Sequence, residues 1–247
     1  MVLGVYLALL LLISSHPWLA VLLYPCALAF LPEPVAGKWG LDHGFQPMPA
    51  ETRDRAERNG RYLLFLQFII IIGEVVYLAR KYSIPWSDIG MRFESWPRLL
   101  MVGAAVGLML VATRALTGLL FPHLDSREES EHPFVRGPAA LWVLLLLMGG
   151  AAEELWRAIS LVTIMEAGWT PTAAVAGTSI AFVLGRSAGI PKRIREILEE
   201  LFFTMVVGAI LAGLFLVFRA LLVPYLTHLI LNLTLLYRLR RRVPIAA

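Results

Sequence analysis

Glu153 and Glu154 stand side by side within an apolar stretch, Gly149-Gly150-Ala151-Ala152-Glu153-Glu154-Leu155-Trp156-Arg157. Arg157 lies four residues after the first glutamate and three after the second, so on a helix it neighbours both. One guanidinium cannot neutralise two carboxylates. Either one glutamate carries a proton or a second cation joins them. A carboxylate in that condition suits general-base chemistry near neutral pH. Further along, Val223-Pro224-Tyr225-Leu226-Thr227-His228-Leu229-Ile230-Leu231-Asn232 puts His228 and Asn232 four residues apart, on one helix face. Both can donate hydrogen bonds to an anionic oxygen, and both equally serve as hydrogen-bonding glue between membrane helices.

Other polar residues interrupt the apolar blocks. Phe182-Val183-Leu184-Gly185-Arg186 closes one block with an arginine, which at a helix end snorkels to the interface more often than it reaches a site. Arg114 is expected to pair with a carboxylate, Glu74 being the nearest by sequence, and Glu166 is expected near an interface. The single cysteine, Cys26, permits no intrachain disulfide and no multi-cysteine metal site, and reads as a small buried hydrophobe. His228, Asn232 and the two glutamates lack the paired-histidine spacing of a zinc protease.

The elements that hold these groups are apolar blocks long enough to cross a bilayer. Of 247 residues, 58% are hydrophobic and 16% charged, with a mean hydropathy of +0.71; a soluble domain carries about a quarter charged residues. A helix of roughly 20 apolar residues crosses the hydrocarbon core, and lipid excludes open sheet edges. The expected fold is therefore all-α, a polytopic transmembrane bundle of about seven spans. The first is kinked at Pro17 and Pro25 within 2–31. The others fall near 61–79, 98–121, 138–167, 171–186, 201–218 and 221–238. Two regions are expected: 1–137, with N-terminal spans and polar loops, and 138–247, a motif-bearing helical core with a basic tail. The net charge of +4 is read as basic cytoplasmic loops rather than as nucleic-acid binding. Connections on the C-terminal side hold 15 Lys and Arg against 5 on the other, which predicts an integral membrane protein with a cytoplasmic C-terminus ending Arg238-Leu239-Arg240-Arg241-Arg242.

Three motif-bearing helices in this order resemble the CPBP family, the CAAX proteases and bacteriocin-processing enzymes, which are glutamic-type intramembrane peptidases. The family's motifs are Glu-Glu-x-x-x-Arg, Phe-x-x-x-His and His-x-x-x-Asn. The third stands intact at His228 to Asn232. The run Met205-Val206-Val207-Gly208-Ala209-Ile210-Leu211-Ala212-Gly213-Leu214 resembles the small-residue helix before it. The first motif is one residue short, with Ala158 where the family has arginine. The second carries Arg186 where the family has histidine.

The resemblance implies that Glu153 activates a water, that Glu154 and Arg157 shape and balance the site, and that His228 and Asn232 stabilise an oxyanion. Phe182 and Arg186 stand at the substrate-binding positions. No metal or cofactor is implied. The implied partners are the lipid bilayer and a peptide or protein substrate, lipidated or not. Two functions stay open: an intramembrane endopeptidase cutting a membrane-proximal peptide bond, and an inactive relative acting as a binding, immunity or regulatory factor. Arg186 separates them, because a guanidinium stays protonated and cannot serve as a base. A transporter is a third class, since buried Glu, Arg and His can form an ion path, but no inverted repeat supports it.

Overall fold

The computed structural model describes residues 12, 16, 17, 19, 65, 68–92, 94–120, 139–187 and 194–242, excepting the side chains at 117–120, 139, 185–187, 194–201 and 239–242. All regular structure among the described residues is helical, in six helices: α1 over 68–81, α2 Trp96–Leu120, α3 Ala139–Glu166, α4 Pro171–Ser187, α5 Ile194–Phe218 and α6 Leu222–Arg242. Five of them fall on expected apolar blocks and α1 on the C-terminal part of another. Apart from residues 12, 16, 17 and 19, the block at 2–31 lies outside the described residues, as do the polar connection 32–60, Cys26, His43, His123 and His132.

The helix ends follow local chemistry. Gly168, at φ +90°, closes α3 with a paired cap: its own N–H reaches Met165 O at 3.0 Å, and Trp169 N–H reaches Ile164 O at 3.1 Å. Thr170 then caps α4, its Oγ1 accepting from Ala173 N–H at 3.3 Å, with Pro171 in the first position where no N–H is needed. Arg219, at φ 48°, turns the chain out of α5 and into α6. Pro224 sits in the first turn of α6, where a missing N–H leaves no hydrogen bond unmade.

Helix α6 packs most extensively on α2, and α4 on α5; α3 lies between, touching α6, α4 and α5. Glycines set these distances. A Cβ on Gly103 would meet Val223 O at 2.9 Å, and one on Gly107 would meet Ile230 at 3.0 Å, so the small-x-x-x-small face of α2 lets α6 approach closely. On α3, a Cβ on Gly149 would meet the Phe68 ring at 2.7 Å, and Gly150 faces the Tyr225 ring. Helices α1 and α6 thus reach α3 one turn before Glu153. The connection after α1 is also tied in: Leu221 N–H donates to Gly90 O at 3.0 Å, and Gly90, at φ +83°, has no room for a side chain.

The core holds Trp142, Trp156, Ile159, Leu161, Phe182 and Phe215, all nearly inaccessible. The outer surface is also apolar. Met101, Leu108, Met109 and Leu116 on α2 are each more than half exposed, as are Phe202 and Val217 on α5. Trp96–Leu116, of mean hydropathy 2.0, is the one helix among the described residues long and apolar enough to cross a membrane by length and composition; 11% of its most apolar window is buried. Pro171–Leu184 and Phe202–Phe218 are shorter apolar helices.

Candidate active site

Helices α3, α4 and α6 bring four ionisable side chains and one aromatic ring to a single buried point. Arg157 forms an ion pair with Glu154 Oε1 along α3, both side chains 1% exposed. From α6, His228 Nδ1 lies 2.7 Å from the same oxygen. An ionised carboxylate can only accept, so the imidazole donates there. His228 Nε2 faces the other glutamate, 3.5 Å from Glu153 Oε2. One imidazole therefore bridges the two carboxylates, standing where a partner to both glutamates is needed.

The glutamates differ in access. Glu153 keeps 12% of its side chain exposed against 1% for Glu154. Glu154 is held by two donors from two helices, whereas Glu153 has an edge toward the surface. The Arg157 guanidinium lies 4.5 Å above the Phe182 ring, a cation–π contact shielded from solvent. Phe182 also meets His228 edge-on, with ring centroids 6.2 Å apart. At 2% exposure it is a wedge between the guanidinium and the imidazole. Gly208 of the small-residue run packs beside it, a Cβ there standing 3.6 Å from the Phe182 ring and from Ser179.

Asn232 lies one turn beyond His228 on α6, half-buried, and makes no hydrogen bond to the cluster among the described residues. Arg186 falls in the last turn of α4, and its side chain lies outside the described residues. Arg114 stacks over the Phe203 ring at 4.6 Å. Glu74 is buried on α1, and Glu166 is exposed at the end of α3. Among the described residues no group of three or more His, Cys, Asp and Glu is arranged to hold a metal ion.

Two residues that fix His228 carried no motif. Thr227, fully buried, donates from Oγ1 to Gly103 O of α2 at 3.0 Å. Tyr225 donates from its hydroxyl to Leu147 O of α3 at 3.4 Å. Each ties α6 to a different helix immediately before the histidine. The signal was present in outline: Gly103-Ala104-Ala105-Val106-Gly107 is a small-x-x-x-small run, and Thr227 is a polar residue placed to use the carbonyl that such close packing exposes.

Residues 135–234 match the family model described as Type II CAAX prenyl endopeptidase Rce1-like, a CPBP family, as the motifs suggested. The match spans α3 to the middle of α6, and so includes every residue of the cluster. No curated protein and no solved structure matches the chain.

Proposed function

We propose that the chain is a membrane-embedded glutamic-type endopeptidase that cuts a peptide bond near the membrane, with Glu153 as the base. The observation that carries this reading is the division of labour between the glutamates: Glu154 is neutralised and enclosed by Arg157 and His228, while Glu153 keeps an exposed edge beside the imidazole. A water between Glu153 and the scissile carbonyl gives its proton to the carboxylate as its oxygen bonds to the carbonyl carbon. The oxyanion accepts from His228 Nε2–H and, as substrate arrives, from Asn232. The intermediate collapses, the C–N bond breaks, and Glu153 returns the proton to the leaving amine. Glu154, Arg157 and Phe182 hold the imidazole in place, and the chemistry needs no metal.

The match to an Rce1-like family supports a membrane-associated peptide, prenylated or not, as substrate. The exposed apolar faces of α2 and α5 support embedding in lipid, since a surface patch of that kind is unstable in water. About seven spans with a cytoplasmic C-terminus is the arrangement we favour. The deciding experiment is cleavage of prenylated and unprenylated membrane-anchored peptides by the full chain in liposomes. Turnover by the wild type supports the reading; none on any such peptide overturns it.

One observation favours a second reading, an inactive relative that binds a partner. Arg186 replaces the family's histidine, and both ring nitrogens of His228 already face carboxylates. Two carboxylates enclosed with one guanidinium and one imidazole make a charge-compensated structural cluster with no base left free to act. Arg186→His separates the readings: activity that appears only in this variant makes the native protein the inactive form.

A further inference from the structure

Away from the glutamates, α1 carries an open groove of about 470 Å³ lined by Gly73, Val76, Tyr77, Arg80 and Lys81. Its floor is apolar and its far end basic. A Cβ on Gly73 would meet nothing within 4 Å, so the helix surface is bare there, and Ile69 and Ile72 beside it are 50% and 42% exposed. At the other end, Lys81 Nζ lies 3.2 Å from the Tyr77 hydroxyl and over the Tyr77 and Tyr82 rings at 5.5 and 5.9 Å. Arg80 is exposed one residue earlier. Neither Arg80 nor Lys81 has a carboxylate within ion-pair distance among the described residues, whereas the nearby Arg92 already has Asp88 at 3.7 Å. Trp86 and Trp96, 45% and 54% exposed, flank the loop that follows, as indoles do at the level of lipid headgroups.

We propose that this face of α1 binds an anionic phospholipid, its acyl chain along Ile69, Ile72, Gly73 and Val76 and its phosphate at Arg80, Lys81 and the Tyr77 hydroxyl. Two cations with no carboxylate partner among the described residues, and a hydroxyl, at the end of an apolar groove complement an amphiphile with one negative head. A soluble anion would leave the apolar floor uncovered, and a zwitterionic lipid would bring a second positive charge to the cations. The inference rests on the membrane reading above.

The test is native mass spectrometry of the full chain released from detergent micelles carrying equal phosphatidylglycerol and phosphatidylcholine. The wild type is expected to retain phosphatidylglycerol preferentially. At roughly fivefold per basic residue near a membrane surface, the double variant R80Q/K81Q should lose about twenty-five-fold in retention. Gly73→Leu, which fills the groove and changes no charge, should lose the lipid too. Equal retention of both lipids, or unchanged retention in either variant, overturns the site. Displacement by inorganic phosphate at millimolar concentration makes it a phosphate site and overturns the lipid assignment. A wild type that stays in the aqueous phase without detergent overturns the membrane reading as well, whereas a detergent-requiring chain with no preference for lipid charge overturns the lipid site alone.

Discussion

At the scale of single residues, the cluster depends on an unequal pair of neighbours. Glu154 is buried and compensates Arg157, so removing its charge leaves a guanidinium stranded where water cannot reach it. Breaking a buried pair from one side costs about 3–5 kcal/mol. Glu154→Gln should therefore lower the melting temperature in detergent sharply, whatever it does to activity. Glu153→Gln, at a side chain that keeps 12% exposure against 1% for Glu154, should cost less stability. Equal destabilisation by the two substitutions would contradict the separation of roles. The sequence made the pair and its arginine legible, because adjacent carboxylates in an apolar run demand an explanation. It did not make legible which glutamate is enclosed. That depends on His228 arriving from α6, a contact across the fold that no local spacing encodes.

At the scale of helices, the histidine is placed by the seam between α2 and α6. Gly103 and Gly107 remove the side chains that would hold the helices apart, and Thr227 uses the carbonyl this approach exposes. Gly103→Leu should force the seam open and destabilise the protein, since the nearest obstacle to its Cβ is backbone oxygen at 2.9 Å. Gly213→Ala is the control: nothing lies within 4 Å of its Cβ, and helix propensity alone favours alanine by about 0.5–1 kcal/mol. Thermal melting of the two variants should move in opposite directions. Thr227→Val keeps the shape and removes a hydrogen bond worth about 1 kcal/mol. It should lower kcat more than its small loss of stability explains, because His228 is the next residue. A kcat unchanged within error would make Thr227 mere glue. Hydropathy foretold these helices but not all their ends. Helix α5 starts at Ile194 rather than near 201, and α6 runs to Arg242 rather than 238, because charged residues with good helix propensity extend a helix beyond its apolar part.

At the scale of the whole molecule, the described helices form a bundle whose apolar core encloses one charged cluster and whose exterior is also apolar, an arrangement that suits lipid. In the arrangement proposed above, the C-terminal end of α6 lies on the cytoplasmic side, the side that the excess of Lys and Arg favours. A cysteine introduced at Ala247, with Cys26 replaced by serine, should resist impermeant maleimide in intact cells and react after permeabilisation. Labelling in intact cells would reverse the orientation. The all-helical class and the motif-bearing segment were legible from composition and from His228 to Asn232, and the family match over 135–234 covers the same ground. A substrate was not legible, because in the proposed mechanism the cluster acts on a carbonyl and not on the side chains around it.

The central claim is that Glu153 is the base of a membrane peptidase. Its most direct test is turnover of a membrane-anchored peptide in liposomes by wild type and Glu153→Gln, at matched folded protein. The account predicts turnover by the wild type and a loss of at least about a hundredfold in the variant, the usual contribution of a positioned general base. Equal turnover by both proteins would contradict it.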